Sequence, residues 1–289
     1  MSLETQIAAL VTAANNLTGA VNGKMAQIDQ EVAAAVGAVP AEINKRMAMA
    51  FYVDAINGSD GNSGETWALA KKTVAAAVSS APRGSLVSVW LKSGQVHSMA
   101  ADVDTAQKTV LVYGDGYVYN NRATYVELRS EPWVMGDGTM AAAGFRVGVR
   151  GFVALAGIKM TTAQFTAEHA GKANPIWQTS YFRTGGAQGT VKLEHCQVDL
   201  YNGAMAYQHS GGSIGVIDLL MRNVLINKVD LAGLPVTTGN QQMMGTYANH
   251  PVPFSMFGIE LVRQGAVANW GELITQDLTN ARTNISLTA

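Results

Sequence analysis

A few residues of this chain have types and spacings that could support a reaction. Gly211, Ser213 and Gly215 form the pattern Gly-x-Ser-x-Gly, which in hydrolases places a nucleophilic serine on a turn between a strand and a helix. Here a glycine-rich loop precedes the motif and a strand is expected after it, so an ordinary loop or corner is the preferred interpretation. Cys196 is the only cysteine and occupies an apolar position of a strand pattern, which indicates a small core residue and excludes an intrachain disulfide.

The acidic residues of the strand-rich part of the chain could supply a pair of carboxylates. Acid–base cleavage of a glycoside requires two such groups about 5–9.5 Å apart. None of the candidates forms a distinctive motif, and acidic side chains in such a region usually lie on solvated faces. The candidates are Glu127, Glu131, Asp137, Glu194, Asp199 and Asp218.

Two further sets of residues could bind a ligand. Asp54, Asn57, Asp60 and Asn62 offer the oxygen ligands that Ca²⁺ prefers, but their spacing is not that of an EF-hand and the same residue types form turns. Turns are the preferred interpretation, and no cofactor or metal is expected. Aromatic rings could stack on sugars, although packing at corners or contact between copies of the chain is preferred. These aromatic residues are Trp133, Trp177, Tyr181, Phe182, Tyr201 and Tyr207.

Composition limits the class of protein. Of the 289 residues, 14% are charged, and the net charge is −1, so the basic surface of a nucleic-acid-binding protein is not expected. A hydrophobic content of 48% argues against disorder. The sequence shows neither an apolar run of about 18 residues nor the basic and apolar regions of a signal peptide. We therefore expect no membrane insertion, and synthesis in a cytoplasm without general secretory export.

The first 36 residues predict a long helix with an apolar seam. The steps of four and three residues match a coiled coil, and a change of phase after Val21 is a stutter. An alanine-rich seam is too narrow to hold one helix alone, so further copies of the chain are predicted to cover it. One helix packed on its own globular domain is the alternative. The predicted oligomerisation residues are Leu3, Ile7, Leu10, Ala14, Leu17, Val21, Met25, Ile28, Val32 and Val36.

Two shorter helices are predicted after this seam. The stretch from Gly37 to Pro40 predicts a break, with Pro40 opening a short second helix that ends near Ala50. Residues 71–81 predict a short amphipathic helix. From Leu86 onward the pattern is strand, turn, strand. It fades after Lys228, resumes as alternation from Phe254 to Val262, and a last strand is expected at 285–289.

An apolar pattern recurs in the strand-rich part. Written with Φ for apolar, Φ-x-Φ-x-x-Φ-x-Φ occurs at 153–160, at 191–198 and, with Arg222 at one apolar position, at 217–226. Each copy predicts two short strands separated by the two residues x-x. The side chains that face inward change parity across these two residues, which requires a bend or bulge. The predicted inward residues are Val153, Leu155, Ile158, Met160, Val191, Leu193, Cys196, Val198, Ile217, Leu219, Val224 and Ile226.

The spacing of the repeat predicts the architecture. Looser Φ-x-Φ pairs occur at 87/89, 110/112 and 126/128. With these pairs included, successive copies of the pattern begin about 26 residues apart on average, which is typical of solenoids. No second helical pattern accompanies each unit, and a propeller blade needs about 40 residues. The predicted fold is therefore mainly β, a parallel β-helix in which Lys192 and Asp218 are expected to be neighbours on the outer side.

The sequence also resembles known families. Residues 52–64 (YVDAINGSDGNSG), followed by the helical stretch 72–78 (KTVAAAV), resemble the opening of pectin-lyase-like right-handed β-helix proteins, where the helix plugs the open end of the solenoid. An alanine-rich coiled coil before such a domain is similar to bacteriophage tail-fibre and tailspike proteins. The resemblance covers residues 1–81, and it extends to the remainder only by pattern. It implies a right-handed parallel β-helix and a homotrimer that participates in host attachment.

These implications set the expected organisation and function. Residues 1–50 are expected to be a coiled-coil stalk that docks to other virion tail or baseplate proteins, 51–230 the β-helix with its capping helix, and 231–289 a C-terminal cap or trimer-closing region. The expected function is that of a non-enzymatic tail-fibre component, located in the virion tail, that presents the β-helix to a host surface glycan or receptor. A tailspike depolymerase that cleaves host polysaccharide with a carboxylate pair is the alternative, and a bacterial adhesin module is the second. A rigid spacer or adaptor also stays open.

Overall fold

The computed structural model describes residues 2–184, 188–208, 215–246, 254–274 and 281–288. The chain divides into two compact units, Met1–Met47 and Ala48–Ala289. The helices are α1 (Leu3–Met47), α2 (Val74–Ser79) and α3 (Ile176–Thr179). The strands are β1 (Ala48–Val53), β2 (Leu86–Leu91), β3 (Val96–Met99), β4 (Val103–Asp104), β5 (Thr109–Gly114), β6 (Val126–Ser130), β7 (Pro132–Val134), β8 (Met140–Ala142), β9 (Phe145–Val147), β10 (Gly151–Ala156), β11 (Ile158–Thr161), β12 (Phe182–Thr184), β13 (Gln188–Leu200), β14 (Ala206–Gln208), β15 (Val216–Lys228), β16 (Met244–Thr246), β17 (Phe254–Ile259), β18 (Val262–Gln264) and β19 (Ala281–Thr283).

The first unit is the single helix α1 of 45 residues. It continues through Pro40, so the predicted break and second helix are wrong. A proline inside a helix costs one backbone hydrogen bond, and the alanines on both sides of Pro40 favour helix strongly enough to continue past it. The large residues of the predicted seam are exposed, from 48% for Val21 to 71% for Leu3. The coiled coil itself stays a prediction. Among the described residues, no helix is long and apolar enough to cross a membrane.

Most strands of the second unit lie parallel in three stacks. The first stack contains β1, β2, β5, β10, the first part of β13 and of β15, then β17 and β19. The second contains β3, β6, β11, the second part of β13 and of β15, and β18. The third contains β4, β9, β12, β14 and β16. The unit is thus mainly β with large parallel sheets, which is compatible with a solenoid-like fold.

Apolar side chains at equal register form columns in the interior. Alternate residues of a strand face the same side. Residues at equal register in successive strands of the first stack therefore all face the interior. All twelve inward residues predicted from the repeat are buried, which confirms them. The first column runs through Val87, Val110, Val153, Val191, Leu219 and Met256.

The chain length between column members varies. Successive members are 23, 43, 38, 28 and 37 residues apart. The predicted step of about 26 residues is too short because it counts the strand of Val126 as a separate turn. Val126 lies in the same turn as Val110 but in the second stack, where it pairs with Ile158.

The third copy of the apolar pattern begins later than predicted. Leu219 pairs with Val191, so the copy starts two residues after the predicted position. Lys192 consequently pairs with Leu220, and the predicted neighbour relation between Lys192 and Asp218 is wrong.

The predicted switch of inward side is made by single residues in left-handed backbone conformation. Gly157, His195, Asn223 and Glu260 have φ values of 67°, 49°, 50° and 55° and occupy the same corner of successive turns. Asparagine, histidine and glycine tolerate this region better than most residues. Because Asn223 makes the switch in the third copy, the preceding Arg222 is exposed and does not take the inward position assigned to it.

Both ends of the strand-rich unit differ in detail from the prediction. Helix α2 is shorter than the predicted 71–81: Thr73 caps it, and Val74, Ala77 and Val78 join the core. Beyond Lys228, strands β16–β19 continue the stacks, and β19 lies before the predicted last strand at 285–289, of which residue 289 is outside the described residues. Strand β17 and the start of β18 confirm the alternation predicted from Phe254 to Val262.

Candidate functional site

A groove of about 320 Å³ lies beside the third stack, where the chain twice leaves the stacks. The first excursion is the antiparallel hairpin of β7 and β8, in which Trp133 is paired with Ala141. The second ends in α3, which carries Trp177. Thr139 Oγ1 donates a hydrogen bond of 3.3 Å to Gln178 Oε1, which links the hairpin to the helix. We call this cavity the tryptophan groove. It is lined by Asp102, Trp133, Met135, Ala141, Arg146, Trp177, Gln178, Arg183, Thr184 and Tyr207.

The two tryptophans keep large apolar surfaces in contact with solvent. Trp133 is 38% exposed and Trp177 is 43% exposed. Both rings belong to segments outside the stacks, and neither joins the small buried cluster of Met140, Ala142, Ala163 and Phe165 beside the hairpin. Paired exposed aromatic rings that line a concave surface are typical of binding sites.

Arg183, from β12, forms the buried base of the groove. Its side chain is 11% exposed, it pairs with Asp102, and it donates to the main-chain oxygens of Gln178 and, at 2.9 Å, Ala142. Burial and the nearby positive charge of Arg146 lower the pKa of Arg183, against the opposing effect of Asp102. Its Nε atom is buried and has no hydrogen-bond partner within the described ranges.

Arg146, from β9, lies at the exposed side of the groove. Its Nε donates to Asp102 Oδ2 at 2.6 Å, while 65% of its side chain remains exposed. Asp102 also accepts a bond of 3.2 Å from the backbone nitrogen of Gly144. One carboxylate is thus shared by two guanidinium groups, which leaves the groove with an excess of positive charge.

Two of the predicted carboxylates are brought together elsewhere. Lys159 Nζ lies 3.8 Å from Glu127 and 3.3 Å from Asp199 in the second stack. Arg129 also donates to Glu127 at 2.7 Å. Burial alone would raise the pKa of Glu127, but the bonds and charges of Arg129 and Lys159 keep that pKa below its ordinary value. A general acid needs the opposite shift, so Glu127 is held as the ionised member of an ion-pair network with Arg129 and Lys159.

The other predicted carboxylates each bond to a different neighbour. These pairs are Glu131 with Ser98 at 2.5 Å, Asp137 with Thr139 at 2.7 Å, Glu194 with Lys192 at 2.9 Å, and Asp218 with Gln188 at 3.3 Å. Such separate contacts indicate structural roles on the surface.

The residues considered for calcium form a loop around an internal ammonium group. Lys71 is 5% exposed, and its Nζ donates to the carbonyl oxygens of Asn62 at 2.7 Å and Asp60 at 3.2 Å. The Asp60 carboxylate accepts from the backbone nitrogens of Lys72 and Thr73 at the start of α2. These bonds connect the loop to the helix.

Asp54 is the second anchor of this loop. It accepts bonds from Lys92 at 2.6 Å, Gln95 at 2.9 Å and the backbone nitrogen of Asn57 at 2.9 Å. Burial alone would raise its pKa, but these donors hold the pKa of Asp54 far below its ordinary value. The carboxylate is thus ionised and fully engaged in structural bonds.

The remaining predicted residues have the following positions. Tyr181, Phe182 and Tyr207 are buried, which confirms packing for these rings, and Tyr201 is half-buried. Burial raises the pKa of Cys196 to about 12, as expected for a core thiol. Gly211 and Ser213 of the hydrolase-like motif lie outside the described residues.

Sequence reasoning identified the two tryptophans but not the polar partners of the groove. Asp102, Arg146 and Arg183 come from three different turns, so no local spacing connects them. The available signal was that both tryptophans interrupt the repeat. Comparison with protein-family models, curated proteins and solved structures finds no match to this chain.

Proposed function

We propose that this protein is a homotrimeric component of a bacteriophage tail fibre that takes part in host attachment. In this proposal α1 forms a coiled coil with two further copies, and the strand-rich unit is a right-handed parallel β-helix. The observation that carries the proposal is a 45-residue helix with an uncovered apolar seam, in the same chain as stacked parallel strands. The number of copies and the virion location rest on the resemblance to tail-fibre and tailspike proteins.

The seam supports self-association on energetic grounds. A helix of this kind is marginally stable alone in water. Burying each large aliphatic side chain of the seam contributes about 1.5–3 kcal/mol. A second and third copy of α1 offer a seam of the same spacing, which no other described helix of the chain provides, since α2 and α3 are 6 and 4 residues long.

A non-enzymatic role is supported by the state of the carboxylates. Glu127 and Asp199 share Lys159, and Glu127 has a lowered pKa. The strand-rich unit instead offers a groove with exposed tryptophans and arginines, suited to binding a host glycan. Residues 1–50 would dock to other tail or baseplate proteins.

The oligomeric state provides the first experiment. Light scattering of the full chain should give three times 30.5 kDa, and a double change of seam residues, Leu10→Asp with Leu17→Asp, should lower that mass. The control is Thr12→Asp with Asn16→Asp, which adds the same charges outside the seam. A mass near 30.5 kDa for the unchanged chain would contradict the trimer, and a trimeric chain lacking residues 1–36 would contradict the role of the seam.

An activity measurement separates attachment from depolymerisation. The protein is incubated with bacterial capsule or lipopolysaccharide, and new reducing ends are counted. No sustained turnover is expected. Turnover that is abolished by Glu127→Gln or Asp199→Asn would replace this proposal by the depolymerase.

A further inference from the structure

We infer that the tryptophan groove binds a saccharide that carries a carboxylate, such as a uronic or sialic acid unit. The inference deepens the proposed attachment function and rests on it for the biological source of the sugar. The chemistry of binding is argued from the groove alone.

The tryptophan rings favour a sugar over other anionic ligands. One face of a pyranose ring is lined with C–H groups, which pack on the electron-rich face of an aromatic ring. Trp133 and Trp177 are each exposed by about two fifths and line the same cavity from different segments. Because the hairpin and α3 are hydrogen-bonded to each other, the two segments that carry the rings are joined before a ligand arrives. A site that is already ordered loses less entropy on binding.

The arginines specify a negative charge on that sugar. Arg146 uses its Nε atom on Asp102 and keeps 65% of its side chain exposed at the groove. A guanidinium group is suited to bidentate pairing with a carboxylate. Arg183 is bonded on both sides by Asp102 and main-chain oxygens and acts as a positioning residue that fixes Asp102 under Arg146.

The size of the groove limits the bound segment. Its volume of about 320 Å³ is at the lower end of the range for small-molecule sites. We therefore expect it to hold one or two sugar units of a longer chain, with modest affinity per site. Three copies in a trimer would raise the apparent affinity for a polymeric glycan.

The first test measures binding to the full-length protein. Tetrasaccharides of galacturonic acid, hyaluronan and polysialic acid are titrated by calorimetry and by tryptophan fluorescence, each beside its carboxyl-reduced, neutral counterpart. At least one acidic tetrasaccharide should bind with a dissociation constant on the order of 10 µM to 1 mM and at least about tenfold more tightly than its neutral counterpart. Binding should weaken with added salt. Equal binding of both forms, or no binding of any acidic form, would overturn the inference.

Matched variants assign the binding to the groove. Trp177→Ala and Arg146→Gln should each weaken binding about tenfold or more, and their thermal unfolding should match the unchanged protein. The controls are Trp90→Ala, whose ring stacks on Tyr113 away from the groove, and Arg83→Gln, an exposed arginine outside it. An equal loss in the control variants, or no loss in the groove variants, would contradict the site.

Adsorption to cells keeps the two proposals separable. Labelled protein is mixed with bacterial strains that have acidic capsules and with their capsule-free mutants. Adsorption that Trp177→Ala does not reduce would contradict the groove but leave attachment intact. Saccharide binding without adsorption to any strain would contradict attachment but leave the groove intact.

Discussion

Replacing Gly157 by alanine should destabilise the second unit by about 2–5 kcal/mol. Gly157 has a φ of 67° at the corner between β10 and β11. An alanine Cβ there would lie 2.1 Å from Cγ, 2.4 Å from Cδ1 and 2.6 Å from Cβ of Tyr117. The ring would have to move away from its positions near Tyr125 and His195.

Two contributions add up to this magnitude. The left-handed conformation costs a residue with a side chain about 1–2 kcal/mol. Crowding of packed groups costs a further 1–3 kcal/mol or so. Gly171→Ala separates the two, because Gly171 has a similar φ of 72° but no heavy atom within 4 Å of the added Cβ. Gly171→Ala should therefore show only the cost of the left-handed conformation.

The assay is urea unfolding at one fixed protein concentration, followed by tryptophan fluorescence. Gly157→Ala should unfold at clearly lower urea than Gly171→Ala. In the background Tyr117→Gly, which removes all three contacted atoms, the additional effect of Gly157→Ala should fall to about that of Gly171→Ala. Equal destabilisation by the two alanine variants, or no relief in the Tyr117→Gly background, would refute the assignment of a steric contact at this corner.

Three further predictions concern buried polar groups and the thiol. Lys71→Met should lower the free energy of unfolding by about 1–3 kcal/mol, because two carbonyl oxygens lose their hydrogen-bond donor. The control is Lys72→Met at the adjacent, exposed position, which should leave the free energy of unfolding nearly unchanged. Thermal unfolding measures both variants. The pKa of Asp54 is depressed in the folded protein, so its stabilisation is present above the unfolded pKa of about 3.9 and is lost as the pH falls toward the folded value. Asp54→Asn should therefore reduce the melting temperature at neutral pH and flatten its dependence on pH in acid, and an unchanged slope would contradict the paired carboxylate. With a pKa of about 12, Cys196 should resist a thiol reagent in the folded protein and react once per chain in concentrated guanidinium; rapid labelling of the folded form would contradict its burial.

The core could be predicted from the sequence because strand alternation leaves a regular trace. The apolar pattern identified twelve of its inward residues, and in the first two copies the two-residue step located the corner where Gly157 and His195 take left-handed conformations. The stagger of the third copy was already indicated by the sequence, since Leu219, Met221, Val224 and Ile226 fit the pattern without exception, whereas a start at Ile217 places Arg222 at an apolar position. Register is decided by pairing along the whole strand, which places Leu219 opposite Val191.

The groove could be predicted only in part. Trp133 and Trp177 were recognisable as aromatic residues able to stack on sugars, but a ring in a core and a ring in a groove have the same appearance in a sequence. Asp102, Arg146 and Arg183 meet because their turns are stacked, and that contact depends on the lengths of the loops between them. The continuation of α1 through Pro40 does not follow from the proline alone. The cost of a proline is local, whereas the helical preference of its neighbours acts along the whole segment.

The unequal lengths of the turns give this architecture room for evolutionary change. The step from Val87 to Val110 takes 23 residues and the step from Val110 to Val153 takes 43, yet their strands pair in the same register. Doubling a loop adds only about 0.6 kcal/mol of closure entropy. The hairpin and the helix that carry the tryptophans can therefore be lengthened, shortened or exchanged while the interior columns stay intact. Evolution can thus replace these two segments one at a time without disturbing the pairing of the stacked strands.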